Sequence, residues 1–165
     1  MDRDEELLLA VLNSAPVVDG RPLDGLDGTA GRELARSWGG TGTANELAQL
    51  RRARDAIQSV IRENDPAAVN ELAGLLAGTA RTPRVTPDGV MWELDAPTES
   101  RLPVQTVLAW STVTTQLRGR LRACANDECN LFLVDHSRPG TAKWCSMTTC
   151  GNRMKARTHA SRSRP

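Results

Sequence analysis

Apolar residues recur at intervals of three and four along much of the first 120 residues, which is the spacing of amphipathic helices. In residues 2–13 a cluster of leucine and valine follows an acidic first turn, so a short buried helix is predicted there. A loop rich in Pro, Gly and Asp should then lead to a second helix at about residues 29–38, which a Gly-Gly-Thr-Gly run ends.

The clearest helix is predicted after Thr43. Thr43 and Glu46 have the Ser/Thr-x-x-Glu spacing of a capping box, and apolar residues follow them in a single stripe. Arg54 lies within the stripe, and Arg51 and Arg52 flank it. These arginines can lay their aliphatic stems along the helix edge and keep their guanidinium groups in water. Alternatively, one of them faces an internal pocket and binds a carboxylate, for which guanidinium is well suited.

A further helix and a hairpin are predicted next. Asp65 and the proline after it are suited to the start of a helix, which should end at Gly78. A Pro-Asp-Gly turn then separates two short extended runs, residues 84–86 and 90–94, and predicts a β-hairpin. Trp92 in the second run is expected to cover the core.

The predicted fold is mainly α with some β structure. Pro103 is expected to open a last long helix, which runs to about Arg120 and leads the chain to its first cysteine. The length of 165 residues fits one ordinary domain, or a modest domain with a small appendage. We expect residues 1–120 to form a helical domain with a small β-hairpin, and residues 121–165 to form a small cysteine-containing module.

The cysteines follow a regular pattern. They form two pairs with four residues inside each pair, and residues 130–144 separate the pairs. Two such pairs can hold one tetrahedral zinc ion, and a full set of four thiolates leaves no open position for water, so the zinc would be structural. Disulfides, free buried thiols or another metal are the alternatives. The predicted zinc ligands are Cys124, Cys129, Cys145 and Cys150.

Charge is distributed unevenly along the chain. Residues 118–165 carry a net charge of +7 and residues 1–117 a net charge of −6, so the C-terminal part is suited to a polyanion. Ser146 is expected to cap a helix beginning at Met147, and this basic helix has the shape of one that enters a major groove. The candidate DNA-binding residues are Arg138, Lys143, Asn152, Arg153, Lys155, Arg157, Arg162 and Arg164.

Two roles are open for several of these residues. Asn152 and Arg153 are the candidates for base contacts, with the other cations at phosphates, but residues just after a zinc ligand often satisfy thiolates and local carbonyls. The basic tail can equally be a solvated end. Backbone amides and four cations are expected to moderate the charge of the thiolates. The four cations are Arg122, Arg138, Lys143 and Arg153.

Other functional classes are less compatible with the sequence. No segment approaches the roughly 18 consecutive apolar residues of a membrane span, and the start of the chain is acidic. We therefore expect a cytoplasmic protein, in which regularly spaced cysteines are metal ligands more readily than disulfides. No Ser-His-Asp arrangement, phosphate-binding Gly loop or open metal site is visible, so an enzyme is not expected.

The cysteine-rich region resembles the CGNR zinc finger family. Residues 150–153 read Cys-Gly-Asn-Arg and lie in the run WCSMTTCGNRMKA, which looks like the family's signature. Ala142 and Lys143 stand where the family often has paired arginines, which weakens one expected phosphate contact. The residues that match the first half of the finger are Phe132, Asp135, Ser137 and Arg138.

The N-terminal part is similar to the family's ABATE domain. Leu12, Asn13 and Ser14 stand at the place of an Asn-Thr motif, and residues 20–26 and Trp38 follow in the expected order. Ser14 replaces the usual Thr and Leu12 replaces an aromatic residue, so a pocket here should differ in shape. The resemblance implies a bacterial, stress-responsive transcription regulator with a treble-clef-like DNA-binding finger and an α-rich domain that senses a signal.

The leading hypothesis is a zinc-dependent regulator that binds double-stranded DNA through its finger. Its acidic N-terminal domain would bind a small carboxylate or aromatic acid as effector, or form a homodimer that doubles the number of fingers. The alternative is a zinc-stapled module that docks on an acidic protein partner without DNA. The candidate ligand-binding residues are Asn13, Arg21, Trp38, Arg51 and Arg54.

Overall fold

The computed structural model describes residues 2–162. About half of the chain is helical, 53%, and the rest includes small β-hairpins, so the predicted mainly α fold class with some β structure is confirmed. The helices are α1 (Arg3–Leu12), α2 (Gly28–Ser37), α3 (Ala44–Glu63), α4 (Pro66–Leu76), α5 (Thr98–Gln116) and α6 (Asn152–Arg162). The strands are β1 (Val17–Val18), β2 (Arg21–Pro22), β3 (Ala80–Thr86), β4 (Gly89–Asp95), β5 (Leu121–Ala123) and β6 (Phe132–Val134).

The core lies where α3 packs against α1, α4 and α5. The apolar stripe predicted on α3 faces inwards, with Leu50 and Ile57 completely buried. On α1 the leucine and valine cluster is buried as well, because Leu8, Val11 and Leu12 face α3 and α5. Helical periodicity in the sequence thus places the correct faces in the core. None of the helices among residues 2–162 is long and apolar enough to cross a membrane.

Local capping signals fix the starts of two helices. The Thr43 hydroxyl accepts a hydrogen bond from the Glu46 N–H at 3.3 Å, and the Asp65 carboxylate accepts one from the Ala67 N–H at 2.9 Å. The Glu46 carboxylate reaches one residue further back than a capping box requires, since it accepts from the Gly42 N–H at 2.7 Å. Both predicted helix starts are confirmed.

Two elements extend beyond their predicted bounds. The β3–β4 hairpin begins earlier and ends later than predicted, and Trp92 on β4 is 61% exposed, so the expectation that Trp92 covers the core is wrong. The hairpin is two-stranded, and its side chains are mostly exposed. Helix α5 begins at Thr98 and not at Pro103, which lies inside the helix. Because proline has no N–H, the helical hydrogen bond from residue 103 to the Glu99 carbonyl is missing.

A small hairpin also occurs where the sequence predicts an ordered loop. Val18 on β1 pairs with Arg21 on β2, which leaves Asp19 and Gly20 as the two-residue turn. Both turn residues have positive φ angles, 50° and 74°, as a type I′ turn requires. The Asp-Gly dipeptide is the sequence signal for this hairpin.

The cysteine-containing module packs directly on the helical body. Phe132 on β6 is 2% exposed and belongs to the same hydrophobic core as the helices, and the Arg62 guanidinium lies 4.6 Å from the centre of its ring. His136 Nε2 lies 2.7 Å from the buried carboxylate of Glu5 on α1. The predicted division into residues 1–120 and 121–165 falls between α5 and β5, and it stays a prediction.

Candidate zinc centre and C-terminal helix

Two backbone pairings bring the cysteines together. In the β5–β6 hairpin, the N–H of Cys124, just after β5, donates to the Leu131 carbonyl at 2.8 Å. The N–H of Ala125 donates to the Lys143 carbonyl at 2.8 Å, which joins the first cysteine pair to the chain just before the second. The chain reverses in the turn around Gly140, as the Ser-Arg-Pro-Gly-Thr run predicts.

The four cysteine sulfur atoms lie within 4.8 Å of one another. The Sγ atom of Cys145 is 3.7 Å from those of Cys129 and Cys150. A Zn–S bond of about 2.3 Å gives a regular tetrahedron with S···S edges of about 3.8 Å, whereas a disulfide would need about 2.05 Å. The cluster therefore supports one structural zinc ion bound by Cys124, Cys129, Cys145 and Cys150. Four thiolates complete the zinc's coordination and leave no site for a water nucleophile.

Burial and local hydrogen bonds shift the pKa values of the cysteine thiols in different directions. Burial raises the pKa of the Cys129 and Cys145 thiols. Burial also opposes ionisation of Cys150, yet a hydrogen bond from Asn126 and bonds from the neighbouring thiols lower the pKa of Cys150 below its usual value. Zinc binds thiolates, so binding must displace protons from the thiols that burial keeps protonated.

Asn126 is the side chain that contacts a ligand sulfur. It is completely buried, and its Nδ2 donates to Cys150 Sγ at 3.4 Å while its Oδ1 accepts from the Glu128 N–H at 3.3 Å. The Cys145 N–H donates to Cys124 Sγ at 3.5 Å. The sequence analysis names cations and backbone amides for this role. The Cys145 N–H is such an amide, whereas no spacing rule indicates the Asn126 side chain.

The cations predicted around the thiolates have other partners or face solvent. Arg122 donates to the carbonyls of Gly119 and Gly140 at 2.8 and 2.9 Å, which fastens β5 to the reversing turn. Its guanidinium also lies 3.7 Å from the carboxylate of Asp135. Arg138, Lys143 and Arg153 are exposed. Among the hydrogen bonds of residues 2–162, none joins one of these four side chains to a cysteine sulfur.

Asp135 organises the loop between the cysteine pairs. Its side chain is buried and accepts hydrogen bonds from the N–H groups of Ser137 at 2.8 Å and Ala142 at 3.0 Å. Hydrogen bonds from Ser137, against the opposing effect of burial, lower the pKa of Asp135. The sequence associates Asp135 with the finger through resemblance alone, and its role in the structure is to shape the loop.

The helix predicted to begin at Met147 starts as a π-helical turn. This turn spans Met147–Gly151 and passes directly into α6. The predicted cap by Ser146 is wrong, because the Ser146 hydroxyl pairs with the Thr148 hydroxyl at 2.8 Å and makes no cap hydrogen bond to the backbone. Asn152 Nδ2 donates to the Thr148 carbonyl at 3.4 Å, so Asn152 is partly engaged within the turn.

The predicted DNA-contacting residues are on the surface where the structure describes them. Arg153, Lys155 and Arg157 are exposed on α6. The Arg157 guanidinium lies 2.6 Å from the Glu128 carboxylate, and this pairing raises the pKa of Arg157 and lowers that of Glu128. Arg162 ends α6, and Arg164 lies outside the described residues.

The candidate ligand-binding residues do not surround one cavity. Arg54, which is 4% exposed, does bind a carboxylate, but its partner is the protein's own Asp24, at 2.6 and 3.0 Å. Arg51 donates to Asp27 and to the Leu26 carbonyl. Asn13 is engaged by the finger, Trp38 lies in a separate cleft, and Arg21 is exposed on β2.

The fold and the thiolate cluster together define a helical body followed by a four-cysteine zinc finger. Residues 120–163 match the family model of the CGNR zinc finger. This range covers β5, the four cysteines and α6, so the sequence resemblance of the finger is confirmed. No curated protein sequence matches the chain.

Proposed function

We propose that the protein is a zinc-dependent, DNA-binding transcriptional regulator whose finger presents α6 to the major groove. The observation that carries the proposal is the exposure of α6. From Asn152 to Ser161, Met154 alone is half-buried and the other side chains are exposed. A helix that buries so little apolar surface is held in place by its attachment at Cys150, and its diameter suits the major groove.

The charge of this surface supports DNA as the partner. Arg153, Lys155 and Arg157 project from one short helix, and Arg138 and Lys143 are exposed on the finger that carries it. Asn152 and Arg153 lie in the first turn, where recognition helices contact base edges, and the cations further along would reach phosphates. From the sequence, the proposal also includes Arg162 and Arg164 as DNA-binding residues.

The two parts of the chain are assigned different roles in this proposal. Residues 1–120 would act as an ABATE-like sensing and dimerisation domain, and residues 121–165 as the DNA-binding finger. The resemblance of the N-terminal part to the ABATE domain supports a bacterial, stress-responsive regulator that works in the cytoplasm. The contacts of Asn13 and Glu5 with the finger support communication between the two parts, because both residues belong to the α1 region.

Fluorescence anisotropy with genomic fragments, across a series of salt concentrations, tests DNA binding. Arg153→Ala and Lys155→Ala should each weaken binding, and a cation that neutralises one phosphate accounts for about 0.9 of the slope of log affinity against log salt. Arg84→Ala is the matched control, since Arg84 is also an exposed arginine and lies on the β3–β4 hairpin, away from the finger. No binding of the zinc-loaded protein at low salt, or unchanged slopes in both α6 variants, would overturn the proposal.

A protein-interaction module without DNA is the second candidate. A largely apolar cleft of about 390 Å³ between Trp144 and α6 favours it, since Met154 and Thr158 form part of its wall. Affinity capture with and without nuclease separates the two functions. Partners that are retained after nuclease treatment would favour protein interaction, and partners that are released would favour DNA.

A further inference from the structure

A second cleft lies between α1, α5 and the β3–β4 hairpin, and it has a volume of about 590 Å³. Leu7 and Ala109 form its apolar floor and are buried. Two tryptophans, Trp38 and Trp92, line the same cleft. A volume of this size can accommodate a small organic molecule with two fused rings.

The tryptophans offer aromatic surfaces that the protein leaves accessible. Trp92 is 61% exposed, although indole is among the side chains that gain most from burial. In the hairpin Trp92 pairs with Pro83, and Arg81 lies two residues before Pro83, so Trp92 and Arg81 share one face. Trp38, just after α2, is half-buried and contributes to the wall from the helical body.

Arg3 and Arg81 also line the cleft. Among residues 2–162, neither has a carboxylate within 4.0 Å or a hydrogen bond from its side chain. Arg84, by contrast, pairs with Glu93 at 3.1 Å on the opposite face of the hairpin. Of the described residues, Asp4 is the single acidic one that lines the cleft, so the charge balance favours an anion.

We propose that this cleft binds an aromatic carboxylate. The ring lies against Trp38 and Trp92, and the carboxylate is bound by Arg81 with help from Arg3, since guanidinium binds carboxylate through two parallel hydrogen bonds. This inference rests on the proposed sensing role of residues 1–120. Of the five residues that the sequence predicts, Trp38 lines this cleft, and the carboxylate is assigned to Arg81 and Arg3 instead of the predicted arginines.

Helix α1 connects the cleft with the finger. Its first turns place Arg3 and Leu7 at the cleft, while Glu5 between them contacts His136 of the finger at 2.7 Å. Asn13, immediately after the same helix, bonds the backbone of Phe132. A ligand that displaces α1 would therefore act on two contacts that hold the finger in place.

Isothermal titration of the zinc-loaded full chain, without DNA, tests the site directly. The probes are 2-naphthoate, its neutral counterpart 2-naphthamide, and the saturated decahydro-2-naphthoate. We expect 2-naphthoate to bind, and both other probes to bind at least about tenfold more weakly, because one lacks the charge and the other lacks the aromatic faces. Equal affinity for 2-naphthoate and 2-naphthamide would overturn the carboxylate assignment.

Two variants locate the binding site. Arg81→Gln and Trp92→Leu should each weaken 2-naphthoate binding roughly tenfold, whereas Arg84→Gln on the opposite face should leave it unchanged. All three positions are exposed, so these variants should fold. Arg81→Lys keeps the positive charge and should retain part of the affinity for 2-naphthoate. Unchanged binding in both cleft variants would overturn the site.

Measuring the oligomeric state tests whether a second copy of the chain, and not a small molecule, occupies the cleft. A dimer that Trp92→Leu dissociates, together with no binding of 2-naphthoate, would assign the cleft to a second copy of the chain and overturn the inference. Because titration needs no DNA, its failure is separate from a failure of DNA binding. Loss of DNA binding alone would remove the proposed regulator and leave the ligand site standing.

Discussion

Asn13 and Phe132 are joined by two hydrogen bonds across 119 positions of the chain. The Phe132 N–H donates to Asn13 Oδ1 at 2.7 Å, and Asn13 Nδ2 donates to the Phe132 carbonyl at 3.2 Å. A single amide side chain thus satisfies both polar backbone groups of a strand residue whose ring lies in the core. Asn13, which the sequence predicts as a ligand-binding residue, is the side chain that fixes β6 against the helical body.

Asn13→Ala should lower the free energy of unfolding by about 1 to 3 kcal/mol, because it leaves the part-buried N–H and carbonyl of Phe132 without partners. Urea denaturation followed by circular dichroism measures this change. Asn45→Ala is the control, since Asn45 bonds Glu99 at the surface and its loss should cost less than about 0.5 kcal/mol. Equal stability of the two variants would contradict the role assigned to Asn13.

Asp24→Asn should destabilise the protein by about 2 to 3 kcal/mol at neutral pH, because it removes the charged partner of the buried Arg54. Asp55→Asn is the control, since Asp55 bonds the same guanidinium from an exposed position and should matter less. Chemical denaturation of the three proteins gives the comparison.

The ion pair of Asp24 and Arg54 predicts that the stability of the protein depends on pH. The hydrogen bond from Arg54 lowers the pKa of Asp24 below its usual value of 3.8 in the folded protein. The stabilisation is therefore complete above about pH 5 and is lost as the pH falls through the lowered pKa. Wild-type stability should decline in that acidic range more steeply than that of Asp24→Asn, and parallel curves would refute the assignment.

Asn126→Ala should weaken zinc binding by about 10- to 100-fold, because it removes the hydrogen bond to Cys150 and leaves the Glu128 N–H without its acceptor. Competition with a chromophoric chelator measures the affinity. Asp127→Ala alters an exposed neighbour and should leave the affinity unchanged. The stoichiometry should stay at one zinc ion per chain in both variants.

Glu128→Gln should strengthen DNA binding by roughly twofold to fivefold at low salt, the range of a surface charge effect. The change removes the carboxylate that pairs with Arg157 and so frees that cation for a phosphate. Anisotropy titrations at several salt concentrations should also give a steeper salt slope. Glu99→Gln is the control, since Glu99 is a half-buried carboxylate on α5 that bonds Asn45, and an equal gain in both variants would indicate net charge alone.

Chelation of zinc should unfold the finger and lower the stability of the helical body, because Phe132 belongs to both. Melting curves with and without chelator, followed at the helical signal, measure the effect. Cys129→Ser should reproduce it without chelator. A helical body that melts at an unchanged temperature after complete zinc loss would contradict the shared core.

Features encoded within a few residues could be predicted from the sequence. Thr43 and Glu46 are three positions apart, and their spacing alone located the start of α3. The regular cysteine pattern likewise gave the zinc ligands, because tetrahedral thiolate coordination imposes both the number and the residue type. The apolar periodicity gave the buried faces of α1 and α3.

Features that depend on distant partners could not be predicted. Glu5 and His136 are 131 positions apart, and neither residue carries a local signal for the other. Asn126 acts through a buried hydrogen bond that depends on how the two cysteine pairs meet. Trp92 is apolar enough for the core, but whether a hairpin face is covered depends on the neighbouring elements and not on its own composition.

Because Phe132 of the finger lies in the core of the helical body, zinc binding also affects the stability of that body. The helical core contains a side chain whose position depends on a metal-bound segment, so a chain without zinc would have an incompletely filled interior. Differences of about 1 to 2 kcal/mol in stability can change the abundance of a protein several-fold through quality control. The cellular level of this protein would then follow the zinc supply, with short-lived chains whenever the metal is scarce.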